Sequence, residues 1–290
     1  MIFETMSSMP DQQTTITCLA SVEKAVEELY DEFNGEAMWW RGHAIESWKI
    51  MAGAFRPSRQ SGKYNEYALI SHFKTRALGM LGHRPRPTSE IEWLFLAQHY
   101  GLPTRLLDWT ENPLVALFFA LGQDAGGATN ADACLWAMSP SQLNLSLSCP
   151  AKPGEAQLGL VGSDERVVQA MAKQAFGYKN EAIKGFLSFD PSLLPKALAI
   201  ESPEMDARIV AQSGRFTLHG CDRSLESLSE SGKYLRKFII PGSEKSKLRQ
   251  KLELMGVQLW NLFPDLQSLA EGLRKHEFTS SDLGGLGPQG

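Results

Sequence analysis

Apolar positions recur at 3.6-residue spacing through the first half of the chain. In "VEKAVEELYDEF" they are Val22, Ala25, Val26, Leu29 and Phe33. That spacing predicts an amphipathic helix over 22–33. Ser21 stands where an N-cap is expected, and Glu23 suits the positive end of the helix dipole. Lys24, three residues after Ser21, supplies no capping-box partner. "YNEYALISHFKTRALGML" predicts a helix over 64–81 that stops before Pro85 and Pro87. "SEIEWLFLAQHYG" predicts a helix from Ser89 to Gly101. "NPLVALFFALGQ" opens on Asn112 as N-cap with Pro113 at the first helical position. It is apolar almost all round, so it is expected to be the central buried helix.

Shorter apolar runs predict strands at Ala37–Ala44, Cys134–Pro140, Lys196–Ser202, Arg215–His219 and Tyr234–Gly242. "SWKIMAGAFRP" reads as a loop or short strand closed by Pro57. Residues 101–111 read as a tight connection between two helices, and 122–133 as a flexible turn. Residues 141–165 are loop-rich, and 166–186 carry a weaker helical pattern. A short helix precedes the bend at Gly214. Two further helices are expected over 243–256 and 263–276. Helices cluster early and at the end, with strands mostly in the second half. This order favours α+β, a mixed or antiparallel central sheet flanked by helices, over βαβ alternation. One domain is expected over 16–276, between a flexible N-terminus (1–15) and a flexible tail (277–290).

The chain has 290 residues, 43% hydrophobic and 21% charged, with a net charge of −4. This balance argues against whole-protein electrostatic capture of nucleic acid and leaves room for a local basic patch. One such segment exists: seven Lys or Arg against a single acid, Glu66, between Arg56 and Arg86. It is either a solvated helix face plus loop or an anion-facing wall that would serve a nucleotide, a phosphate or a nucleic acid. Cys18, Cys134, Cys149 and Cys221 form no CxxC, and the histidines show no metal spacing, so no metal site is expected. The longest apolar run is too short to cross a bilayer, and the first residues lack the pattern of a signal peptide. A cytoplasmic protein with reduced thiols and no membrane contact is expected.

Two segments carry candidate chemistry. In "WWRG", Arg41 presents a planar fork suited to phosphate or carboxylate, and Gly42 lets backbone or ligand come close. Alternatively Arg41 pairs Asp108 to lock the fold. In "QHYGLPTRLLDWT", Thr104, Arg105, Asp108 and Thr110 precede a helix N-terminus, where unpaired N–H groups favour an anion. Asp108 and Thr110 also suit plain structural support. His99 is either a proton carrier or a hydrogen-bonded structural group. Arg208 and Gln212 stand four apart on one helical face, and the Gln212 amide can orient a hydroxyl or satisfy backbone at the following strand. No P-loop or dinucleotide glycine motif is present.

Together "WWRG", "AFRP", "AQHYGLPTRLLDWTENPLVALFFA", "RIVAQSGRFTLH" and "LFPDL" resemble the FRG domain family over about Glu36 to Leu266. The aromatic before Arg41 is Trp rather than the usual Phe or Tyr. The family occurs in bacterial and phage-related settings and hands over no reaction. The order of parts is also similar to that of ADP-ribosyltransferases: an aromatic-Arg strand, small hydroxyls before an apolar helix, then a late polar residue. That similarity implies a transferase using NAD or another nucleotide, in a bacterial toxin or phage-defence setting. Arg41, Gly42, Tyr100, Thr104, Arg105 and Arg208 would then bind ligand, and His99 and Gln212 would act catalytically. Gln212 stands where such enzymes usually carry Glu. The alternative is a non-catalytic module that senses a nucleotide, a nucleic acid or a protein partner.

Overall fold

The computed structural model describes residues 14–58, 62–82, 85–122, 130–147, 161–163, 165–185, 187, 190–201 and 207–275. In chain order the elements are α1 (Leu19–Glu32), β1 (Trp39–His43), the short strands β2 (Pro57–Ser58) and β3 (Gly62–Lys63), α2 (Glu66–Ala77), α3 (Glu90–His99), β4 (Leu106–Thr110), α4 (Pro113–Ala120) and β5 (Ala133–Met138). There follow α5 (Pro140–Leu147), α6 (Arg166–Ala175), α7 (Asn180–Lys184), β6 (Ala197–Ile200), α8 (Ala207–Ala211), β7 (Gly214–His219), β8 (Leu235–Ile240), α9 (Lys245–Leu254), α10 (Leu259–Leu262) and α11 (Leu266–Lys275). The fold is α+β. Six strands form one antiparallel sheet in the order β6-β7-β4-β1-β5-β8, flanked by helices.

Trp40 and Thr110 face each other in register, so their side chains share one face of the sheet. On that face two helical groups sit side by side. Helices α1, α4 and α9 cover Trp40, Leu135, Ala137 and Phe238. Helices α2, α3 and α6 cover Leu106, Leu198, Phe216 and Leu218. The opposite face buries Trp39, Leu107, Trp109, Trp136 and Met138 under α5 and the loop carrying Ile50 and Ala52. Burial on both faces explains why β5 reads as a continuous apolar run.

Local signals place α3 and α4 well. Ser89 Oγ accepts from the Glu92 amide, and Asn112 Oδ1 accepts from the Leu114 amide. Helix α1 starts earlier than its apolar spacing predicts. Cys18 is its N-cap and Ser21 is its third residue, whose hydroxyl accepts from the Cys18 amide at 3.1 Å. Two larger differences are tertiary in origin. The segment after Pro103 is a central strand, β4, because Leu106, Leu107 and Trp109 are buried between two covered faces. Residues 140–147 form α5 rather than loop, and its Asn144 amide caps the sheet edge. Asn144 Nδ2 donates to the Ala199 carbonyl and its Oδ1 accepts from the Ala199 amide, at 3.0 and 2.7 Å. The expected flexible ends fall largely outside the described residues, as does 123–129 of the expected turn. Thr14 and Ile16, by contrast, bond to Ile239 of β8. Among the described residues no helix is long and apolar enough to cross a membrane.

Candidate functional site

β1 and β4 meet in register only at Trp40 and Thr110 and then diverge. Elsewhere the sheet has ladders of four to six register pairs. Diverging strands leave backbone groups to be satisfied by something other than each other. Arg41 fills this role: its Nη1 donates to the main-chain carbonyl of Asp108 across the fork. The fork opens into a cavity of about 280 Å³ lined by Arg41, Asp108, Trp48, Phe119, Arg208 and Gln212, among others.

Asp108 is the exposed residue of a strand whose other four residues are buried. A carboxylate in mid-strand at the centre of a sheet requires solvent or a ligand beside it. Its position is fixed by a relay. The Thr104 hydroxyl donates to Gln98 Oε1 at 2.7 Å, and Gln98 Nε2 donates to Asp108 Oδ2 at 2.7 Å. Asp108 itself lines the cavity.

Arg41 is oriented from behind by His43. Arg41 Nε donates to His43 Nε2 at 3.1 Å, so that ring nitrogen is an acceptor. The proton therefore sits on Nδ1, which donates to the Trp48 carbonyl at 3.2 Å. Burial pushes the His43 pKa down to about 3, with Arg41 and Arg56 adding to the effect. His219, fully buried with its Nε2 on the Thr217 hydroxyl that also accepts from Trp109 Nε1, is likewise pushed down to about 3, by burial first and then by Arg41, Arg105 and Arg56. Burial lowers the Arg41 pKa to about 10, opposed by Asp108 and reinforced by Arg56, so Arg41 stays charged at neutral pH.

These two histidines predict an acid sensitivity. Between about 3 and ~6.5 the unfolded chain binds two protons that the native protein does not, so stability rises with pH across that window. It is complete above ~6.5 and declines as pH falls, by about 1 kcal/mol per histidine between pH 6.5 and 5.5. Urea unfolding at the two pH values measures this, and His43→Gln or His219→Gln should each flatten the dependence. Equal slopes in parent and variants would refute it.

The expected site residues divide into three groups. Arg41, Gly42, Asp108, Thr110, Arg208 and Gln212 come together around the cavity. His99 lies in an adjoining recess of about 40 Å³ that shares Asp108, Arg208 and Gln212. Thr104, Arg105 and Tyr100 do not reach the cavity. Thr104 is fully buried in the relay behind Asp108. Arg105 is buried in a bidentate pair with Glu66, Nη2–Oε2 2.7 Å, and its Nη1 donates to the Met171 carbonyl at 3.0 Å. Its donors are thus spent on α2 and α6. Tyr100 is 56% exposed and lines a separate groove.

The contacts give several of these residues other roles. Thr110 Oγ1 donates to the Gln212 carbonyl and accepts from the Asn112 amide, joining β4, α4 and α8. Gln212 Nε2 donates to the Leu262 carbonyl at 3.0 Å, so its amide nitrogen supports α10. The Asp108 carboxylate is held by Gln98 rather than by Arg105, while Arg41 meets its carbonyl. Gly42 faces α4: a Cβ there would stand 2.0 Å from the Ala116 carbonyl oxygen. The basic segment is partly consumed internally, since Lys63 pairs with Asp222 at 2.8 Å and Lys74 lies over the Trp93 and Phe176 rings.

Gln98, Trp48 and Phe119 were not expected at the site. Gln98 had a signal, an amide in the last turn of a mostly apolar helix. Trp48 had none, because it sits in a loop with no pattern.

Residues 36–127 match the FRG domain. The FRG segment takes in Trp40-Arg41-Gly42 and the long motif from Ala97, including Gln98 and Asp108. It ends before Arg208 and Gln212, so the cavity has its floor and Asp108 relay in the FRG segment and one wall outside it. No curated protein and no solved structure matches the chain.

Proposed function

We propose that the fork cavity binds a nucleotide and that Asp108 engages its ribose. The observation that carries this reading is the exposed Asp108 carboxylate held in mid-sheet by Gln98 beside the Arg41 guanidinium. A ribose hydroxyl donates to a carboxylate, a phosphate accepts from a guanidinium, and a flat base lies against aromatic walls. Asp108, Arg41 or Arg208, and Trp48 or Phe119 supply these three functions around one cavity. Its volume is near the lower end of the roughly 300–1,000 Å³ of small-molecule pockets, enough for part of a nucleotide with the rest extending over the lip.

NAD is the ligand under which this arrangement would do chemistry. A fixed carboxylate beside the ribose stabilises positive charge developing on the sugar as a glycosidic bond dissociates. That is transfer of the ADP-ribosyltransferase type, with Asp108 in the role expected of Gln212. His99 lines the adjoining recess and would shape the approach of an acceptor.

A second reading is a binding module without chemistry. It is favoured by the use of Arg41 and Gln212 on main-chain carbonyls, which makes them supports.

One experiment separates the readings. Melting curves are recorded with NAD, ADP-ribose and AMP, alongside nicotinamide release. A ligand at 100 times its Kd raises stability by about 2.7 kcal/mol. Asp108→Asn should keep the parent melting temperature without ligand, lose at least tenfold in affinity, and abolish release. Stabilisation without nicotinamide release selects the binding module. No stabilisation by any of the three refutes a nucleotide site.

A further inference from the structure

A second cavity, of about 590 Å³, lies between α2 and the C-terminal end of α3. It shares no lining residue with the fork cavity or its recess. Leu69, Phe73, Leu81, Leu96 and Leu102 form its walls. Met80 also lines it, 83% exposed, and Tyr100 contributes an exposed ring. The volume falls within the roughly 300–1,000 Å³ of small-molecule pockets.

The charged side chain on its lining is a cation, Arg76. His72 and Arg76 stand one helical turn apart on α2, both exposed, and no carboxylate joins them among the described residues that line the cavity. Arg76 has no ion-pair partner among the described residues. The acids of α2 and α3 are committed elsewhere: Glu66 to Arg105, Glu90 to Lys173 and Glu92 to Thr88. An occupant must therefore present an apolar body to the leucines and an anion to α2. Guanidinium geometry matches the two oxygens of a carboxylate.

We propose that this cavity binds a monocarboxylate with an apolar chain, of the medium-chain fatty acid class. Its carboxylate lies at Arg76 and His72 and its chain lies among Leu69, Phe73, Leu96 and Leu102. The site is independent of the nucleotide reading, since it rests on different residues.

The test uses the full chain with methyl-labelled methionine, titrated with decanoate and with decanol. Decanoate should move the Met80 methyl resonance and bind roughly fivefold more tightly than decanol, the difference expected of one exposed charge contact. Arg76→Gln, at an exposed position, should leave the melting temperature unchanged and close that gap. Met80→Glu should weaken decanoate more than decanol. Arg208→Gln, in the fork cavity, should leave both affinities as they are. The proposal is overturned if decanoate leaves Met80 unmoved, if decanol binds as tightly in the parent, or if the gap survives in Arg76→Gln.

Discussion

Gly42→Ala is expected to lower stability by about 4 kcal/mol or more, at the extreme of single substitutions. The added Cβ would lie 2.0 Å from the Ala116 carbonyl oxygen and 2.5 Å from the Ala120 amide nitrogen, both backbone atoms of α4. A flexible side chain could move aside, whereas a helix backbone moves only as a body. Lifting α4 from β1 would uncover Ala116, Leu117 and Ala120, now buried against Trp40 and Leu135. The glycine of "WRG" is thus a packing requirement, and the ligand is not what it admits. Calorimetry should find the melting temperature reduced by roughly 10 °C, or no folded protein. Gly185→Ala is the control, because its added Cβ meets nothing within 4 Å. A Gly42→Ala protein that melts within two or so degrees of the parent would contradict the close approach of α4.

Arg105→Ala should cost about 3–5 kcal/mol, the range for breaking a buried ion pair from one side. The Arg105 and Glu66 side chains are 8% and 10% exposed, so removal of the guanidinium leaves the Glu66 carboxylate in low dielectric with the residue-105 amide, at 2.9 Å, but no cation. It also deprives the Met171 carbonyl of a donor. The double variant Arg105→Met with Glu66→Leu removes both charges at similar volume and should recover part of the loss, the residue-105 amide and the Met171 carbonyl remaining unpaired. Denaturant unfolding measures the stabilities. Nucleotide binding by the double variant decides the role: it should remain at the parent affinity, because Arg105 does not reach the fork cavity. A folded double variant that binds no nucleotide would return Arg105 to the ligand site.

The α+β architecture was legible because most elements carry local signatures. Helices α3 and α4 begin at Ser89 and Asn112, whose side chains cap their own backbones. Strand β5 is apolar at every position because both its faces are covered. The segment around β4 was opaque for the converse reason. Five residues flanked by two helices are too few to establish a period, and Asp108 interrupts them. Only pairing with β7 and with Trp40 makes them a strand. Helix α5 was hidden similarly, since its Asn144 finds its partner at Ala199, 55 positions away.

What the chain determined by itself is the set of capped helices, the apolar strands and the presence of Arg41, Asp108, Arg208 and Gln212 as polar groups set among apolar ones. These follow from local propensity, capping and periodicity, which act over a few residues. Which polar groups face a shared cavity was decided by the tertiary structure. Divergence of β1 from β4 exposed Asp108 and drew Arg41 across the gap, while packing of α2 and α6 against β4 enclosed Arg105 with Glu66. Arg41 and Arg105 look alike in sequence. They differ because a buried guanidinium takes whichever acceptors the surrounding elements bring within reach, and for Arg105 those acceptors come from segments 39 and 66 residues away.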